Sequence, residues 1–310
     1  MSKPFAAVFP GQGSQSVGMM NSFEPTAVVR DCFAEASDAL GQDLWALVAE
    51  GPTEALAQTI NTQPVMLTAG VAVWRAWRAA GGAVPVVMAG HSLGEYAALV
   101  AAGALDFADA VKLVRFRAQS MQEAVPAGQG GMAAILNLAT VVVAAACAEA
   151  AQGQVVSAAN LNSPVQIVIA GHAEAVQRAM DLCKARGAKR AVALPVSAPF
   201  HCALMKPAAE RLAERLAATR FVMPEIPVLN NVDVKFETSP EAIRDALVRQ
   251  AFSPVRWIET THAMLAQPLD TVFEFGPGKV LVGLIKKIAP ETNVEAVTDS
   301  EALSRVLALV

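Results

Sequence analysis

The sequence predicts an α/β protein: a large α/β-hydrolase-like domain on a mainly parallel sheet, with a small ferredoxin-like subdomain inserted into it. Three observations predict this. Short apolar, β-branched runs alternate with alanine- and leucine-rich helical stretches along the chain, as in a parallel sheet covered on both faces. Past the boundary signal "AVPAGQGG" the order becomes β-α-β-β-α-β, that of a ferredoxin-like unit. A Gly-x-Ser-x-Gly segment, "GHSLG" at 90–94, stands where a strand gives way to a helix. The large domain is therefore assigned to 1–127 and 199–310, and the small subdomain to 128–198.

The elements follow in order. Phe5 to Phe9 reads as a short strand entering the loop "PGQGSQSVG", dense in glycine and small polar residues. Helical patterns occupy about 26–40, 43–49 and 62–80. Val84 to Met88, bounded by glycines, reads as a buried strand. The segment after Ser92 is helical, with Glu95 where a first turn favours a carboxylate, and 106–124 forms another helix with Asp106 as N-cap. In the small subdomain "MAAILNL", "VVSAAN", "VQIVIAG" and "KRAVALPV" read as strands, with helices over 140–151 and 173–186. Helices near 200–218, 239–251 and 255–266 return the chain to the large domain, together with the strands "IPVLN" and "TVFEF". No internal repeat or low-complexity tract interrupts this order.

Bulk properties narrow the function. Hydrophobic residues make up 54% of the 310 residues and charged ones 17%, a composition that argues for a packed core and against disorder. A net charge of −4 offers no general attraction for nucleic acid or anionic lipid. No secretory leader is read at the N-terminus and no window approaches a membrane span, so a soluble, cytosolic protein is expected. Four scattered cysteines, Cys32, Cys147, Cys183 and Cys202, suit reduced buried thiols. The histidines are dispersed, so no metal is implied, and no phosphate-binding or dinucleotide fingerprint occurs. No cofactor is expected.

Ser92 lies at the turn between strand and helix, where Gly90 and Gly94 let the backbones pass closely; a plain glycine-rich turn is the alternative. A serine hydroxyl needs a base to become a nucleophile. Of four histidines, His91 adjoins Ser92 and reads as pocket wall, while His172 and His262 fit ordinary helix positions. His201 lies on one apolar stripe with Leu204, Met205, Ala208 and Leu212. In the first turn of a helix the macrodipole would keep its imidazole neutral, though a satisfied core histidine remains the alternative. No aspartate occupies an obvious third position between the two, so something else must orient the ring. Arg117 has a largely apolar helical surround in Leu113, Val114, Ser120 and Met121, and burial of an unpaired guanidinium is costly. It either closes an internal salt bridge or clamps a substrate carboxylate or phosphate.

The ordered motifs "VFPGQGSQSVGM", "TQPVMLTA", "GHSLGEYAAL", "RFRAQSMQEAVPAGQGGMAAIL", "SAPFH", "NNVD", "PVRW" and "FEFGPGKVL" closely resemble the malonyl-CoA:acyl carrier protein transacylases of bacterial fatty-acid synthesis. The resemblance runs from about residue 5 to 288. It implies that Ser92 carries the acyl group, that His201 is general base and acid, and that Arg117 holds the malonyl carboxylate. It implies that the Gln12 and Leu93 amides form the oxyanion hole and that the main-chain carbonyl of Gln250 orients the histidine. His91, Met121 and Phe200 would line the substrate site, with Leu93 and Phe200 in the malonyl-selecting forms. Ala118, Asn137 and Cys202 depart from the usual glycine, glycine and serine, outside the proposed chemistry. The implied partners are malonyl-CoA and acyl carrier protein, handled by a monomer.

Other readings of the same residues are a polyketide or malonate-decarboxylase acyltransferase, a serine thioesterase or esterase, and a non-catalytic carrier-docking module. Since carrier proteins are acidic, a local basic patch is expected at Lys184, Arg186, Lys189, Arg190, Lys286 and Lys287.

Overall fold

The computed structural model describes residues 3–309. Five strands form a wholly parallel sheet: β1 (Phe5–Phe9), β2 (Val87–Gly90), β7 (Val228–Leu229), β8 (Thr271–Phe275) and β9 (Asn293–Val297). Their order is β7-β2-β1-β8-β9, so the first strand of the chain lies at the centre. Every residue of β1 and β2 is buried, as a central parallel strand covered on both faces requires.

One face is covered by α1 (Ala27–Leu40), α2 (Leu44–Ala49), α3 (Thr53–Ala57), the long α4 (Thr59–Ala79), α5 (Leu93–Ala101) and α6 (Phe107–Glu123). Phe5, Phe9, Trp77, Phe273 and Phe275 interlock there, with Phe5 and Phe273 ring centroids 5.0 Å apart. Asp106 caps α6 as the sequence predicts, its carboxylate accepting from the Asp109 amide at 3.0 Å.

The second sheet is antiparallel and contains β3 (Gly130–Leu136), β4 (Val156–Ser163), β5 (Gln166–His172) and β6 (Arg190–Ala193), in the order β4-β5-β3-β6. With α7 (Thr140–Ala151) and α8 (Ala173–Ala185) on one face it is the ferredoxin-like unit. Asn137 takes φ 59° at the end of β3, a conformation asparagine tolerates better than most residues. The small sheet is stitched to the large domain through β4: the Leu161 amide donates to Val255 O and the Val255 amide to Ala159 O, both at 2.9 Å.

The remaining helices are α9 (Lys206–Ala217), α10 (Pro240–Gln250), α11 (Trp257–Leu265), α12 (Val280–Ile288) and α13 (Ser300–Leu307). Two expectations need correction. The strand expected over Val84–Met88 begins only at Val87; Val84 is 54% exposed because the chain is still approaching the sheet. The helix expected over 200–218 begins at Lys206, after a single 3-10 turn over Ala203–Met205, and His201 lies before both. Beyond β8, α12, β9 and α13 add an αβα segment for which the sequence reading made no assignment. Among the described residues no helix is long and apolar enough to cross a membrane.

Candidate active site

The site is built on the turn from β2 into α5. Ser92 takes φ 52° and ψ −105°, a conformation L residues rarely adopt, which persists only where the surroundings enforce it. The turn is tight. A Cβ on Gly90 would lie 1.9 Å from the Gly94 carbonyl, and one on Gly94 would lie 2.0 Å from Phe9 O, so neither position admits a side chain.

Ser92 Oγ lies 2.6 Å from His201 Nε2, and His201 Nδ1 lies 2.9 Å from the main-chain oxygen of Gln250. A carbonyl can only accept, so Nδ1 carries the proton and Nε2 is left to accept from the serine hydroxyl. His201 is 4% exposed and takes φ 59°. Burial first, then the neighbouring Arg117 charge, pushes its pKa down to about 3. The ring is neutral, as the sequence reading expects, but no helix dipole accounts for it, because His201 is in no helix.

Arg117 projects from α6 and is 2% exposed. Its Nη1 donates to Gln63 Oε1 at 2.9 Å; its Nη2 donates to Gln250 Oε1 at 3.1 Å and to Ser92 Oγ at 3.2 Å. The guanidinium carbon stands 5.4 Å from the Tyr96 ring centroid, and Nε has no partner among the described residues. All these hydrogen-bonding partners are neutral. The internal salt bridge is not formed, and a buried cation stands beside the serine hydroxyl with no carboxylate in direct contact.

A cavity of about 490 Å³ opens before Ser92 between the two sheets. Gln12, His91, Leu93, Met121 and Phe200 line it from the large domain, and Met132, Asn160, Asn162 and Val168 from the small one. His91 turns away from the serine–histidine pair: its Nε2 lies 2.8 Å from Asn162 Oδ1 and its ring packs against Trp257. His91 forms part of the cavity wall. Gln12 and Leu93 line the cavity, and their amides have no hydrogen-bond partner among the described residues. Among the described residues no group of three or more His, Cys, Asp or Glu side chains could hold a metal ion.

Four polar residues at the site have roles that the sequence does not show. Gln63 anchors Arg117 and Asn162 anchors His91. Asn231 accepts the Ser92 amide through Oδ1 at 2.6 Å. Glu95, read as an ordinary first-turn carboxylate, is 2% exposed; its Oε2 accepts from the Asn231 amide at 2.9 Å and from Gln250 Nε2 at 2.8 Å. Burial pushes its pKa up to about 7 against those two donors and the nearby Arg117. The "NNVD" segment and the Gly-x-Ser-x-Gly-Glu spacing were the only available signals, and neither shows burial.

Fold and site together define the class: an α/β acyltransferase. The chain belongs to the acyl transferase domain family, whose family model matches residues 7–301. It is 58% identical over 304 residues to the malonyl CoA-acyl carrier protein transacylase of Salmonella typhimurium, with 98% of each chain covered. The crystal structure of an acyl carrier protein S-malonyltransferase from Vibrio cholerae superposes with a TM-score of 0.95 at 58% identity, over 97% of this chain and 99% of that one. A malonyl-transacylase in complex with a type II polyketide acyl carrier protein superposes with a TM-score of 0.97 at 55% identity, covering 98% and 99%. These are the proteins that the sequence motifs resemble.

Proposed function

We propose that this acyltransferase moves a malonyl group from malonyl-CoA to the pantetheine thiol of acyl carrier protein, in fatty-acid synthesis in the cytoplasm, through an ester on Ser92. One observation carries the reading: a buried guanidinium without a carboxylate partner lies 3.2 Å from the hydroxyl that would receive the acyl group. A nucleophile beside an unpaired cation suits an acyl chain that ends in an anion.

The steps follow from the geometry. His201 Nε2 takes the Ser92 proton as Oγ attacks the thioester carbonyl carbon. The charge that develops on the carbonyl oxygen is held by the Gln12 and Leu93 amides, each worth about 3 kcal/mol in sites of this kind. The C–S bond breaks, and the CoA thiolate takes the proton from His201. Gln250 O keeps Nδ1 protonated throughout and so stands where a triad carboxylate otherwise would. The carrier's thiol then gives its proton to His201 and attacks the ester, and Ser92 recovers its proton as the C–O bond breaks. Arg117 holds the malonyl carboxylate, with His91, Met121 and Phe200 as walls. No metal or cofactor takes part.

Intact-mass measurement after mixing with malonyl-CoA tests the reading. One malonyl group is expected on the peptide containing Ser92, stable in buffer and discharged by acyl carrier protein. An adduct elsewhere, or release to water as fast as to the carrier, overturns it. The polyketide-carrier complex among the relatives favours a second reading, in which the chemistry is unchanged and the carrier differs. Transfer rates to a fatty-acid and a polyketide carrier compared side by side decide between them.

A further inference from the structure

Glu95 is a buried carboxylate beside Ser92 with no part in the proton transfers. One of its oxygens, Oε2, binds the Asn231 amide and Gln250 Nε2. Those two residues grip Ser92 at both ends of its backbone. Asn231 Oδ1 accepts from the Ser92 amide at 2.6 Å, and Gln250 Nε2 donates to Ser92 O at 3.0 Å. Asn231 Nδ2 also donates to Gly90 O at 2.8 Å, fixing the strand end that leads into the turn. Gln250 in addition accepts from His201 Nδ1 through its main-chain oxygen and from Arg117 through Oε1.

We propose that Glu95 is a positioning residue for acyl transfer, whose carboxylate sets the orientation of Gln250 and Asn231 and through them holds the Ser92 peptide and the His201 ring. The inference rests on the reading that Ser92 is acylated.

Hydrogen-bond inventory supports it. Both Gln250 Nε2 hydrogens are committed, one to Ser92 O and one to Glu95 Oε2, while Oε1 faces the Arg117 donors. A carboxylate facing that amide can only accept, which forbids the flipped amide that would set NH₂ against the guanidinium. A neutral amide at position 95 lifts that prohibition, because it carries donors of its own. The Ser92 backbone, at φ 52°, depends on such over-determination. A second cavity of about 280 Å³ is lined by Glu95 together with Glu225, Glu237 and Leu99.

Rapid-quench mass spectrometry of Ser92 acylation by malonyl-CoA, on the full chain, tests the proposal with Glu95→Gln and Glu95→Asp. In Glu95→Gln the acylation rate constant should fall about a hundredfold or more, while half-saturation rises no more than about threefold, because Gln63 still anchors Arg117. Glu95→Asp keeps the charge and should recover part of that loss. A Glu95→Gln rate within about threefold of wild type, or a loss expressed mainly as weaker half-saturation, overturns the proposal. Should Glu95→Gln fail to fold, Glu95→Asp carries the test, since drawing the carboxylate back by one methylene lengthens the 2.8 and 2.9 Å contacts while keeping the charge, and a partial loss of rate is expected. A wild-type rate in Glu95→Asp then overturns it. Failure of the wild-type protein to take up malonyl at all sinks the functional reading instead, and the two failures are distinct.

Discussion

The two domains bury different chemistry. The core of the small domain is aliphatic, built from residues such as Ile135, Val143, Ile167, Ile169 and Val176, with no buried charge in it. The large domain buries Glu95, Arg117, His201 and Glu274, each at 4% exposure or less, together with Gln63, Asn231 and Gln250. A buried ionisable group costs stability unless it is satisfied, so such groups persist where they are interlocked, and most of these interlock around Ser92. The small domain completes the cavity with Met132, Val168 and two asparagines but places no ionisable group next to the serine. Reaction chemistry should therefore be lost by changes on one side of the cleft, and carrier recognition can be divided between both sides.

The largest effect is expected at the nucleophile. Ser92→Ala should abolish the malonyl adduct and leave the melting temperature close to wild type, since the hydroxyl borders an open cavity and not a packed core. Intact mass and a melting curve check it; a mutant that still gains one malonyl on the same peptide removes Ser92 from the chemistry.

Arg117→Ala comes next. Loss of a charge-assisted contact to the malonyl carboxylate should lower kcat/KM for malonyl-CoA by about a hundredfold or more. Acetyl-CoA has no carboxylate and would leave the guanidinium unpaired, so its transfer should hold or rise, inverting the preference. Parallel loss for both substrates with a lower Tm would return Arg117 to a structural role.

The sequence showed the parts of this site that have a local pattern. Gly90 and Gly94 flanking Ser92 announce a tight turn, and an arginine in an apolar helical surround announces a buried cation. His201 was found by its apolar stripe, yet the structure puts it before the helix, so the stripe led to the right residue by the wrong geometry. Gln250 is invisible to residue-level reading because its main-chain oxygen orients the ring, and every residue has one. Glu95, Asn231 and Gln63 have side chains that look solvent-facing, and only the tertiary fold buries them. In α12, Leu281, Leu284, Ile285 and Ile288 carry a legible helical period.

The pH profile sharpens the same contrast with a smaller effect. His201, held near 3, stays a neutral base over the working range and contributes no acid limb there. Glu95, pushed up to about 7, is ionised only above that value. Burial and Glu237 raise it, while Gln250, Asn231 and Arg117 lower it. If the ionised form positions Gln250, kcat/KM for malonyl-CoA should rise with pH through about 7 and level off above it. Glu95→Gln should give a low and flat profile; a limb that persists in that variant belongs to another group.

The smallest effect concerns the carrier, and it sets the two domains against each other directly. Lys286 and Lys287 are exposed on α12, whose Val280, Leu281 and Leu284 line the cavity. Lys287 Nζ donates to Oε1 of Gln166, itself a lining residue, at 3.2 Å, so Lys287 stands at the rim, while Lys286 Nζ donates to Pro290 O at 3.2 Å. Two basic residues of the small domain are differently placed, since Lys184 lies 3.7 Å from Asp181 and Arg186 pairs with Glu149, whereas Lys189 and Arg190 are exposed and in no ion pair among the described residues. A charge already paired adds less to the field that an acidic carrier meets. Reversing Lys286 and Lys287 to glutamate should raise KM for the carrier roughly threefold to tenfold at low salt and flatten its salt dependence. The same reversal at Lys184 and Arg186 should do less, and neither pair should alter Ser92 acylation by malonyl-CoA. Equal effects from the two pairs would spread docking over both domains, and no effect from either would remove this face from carrier recognition.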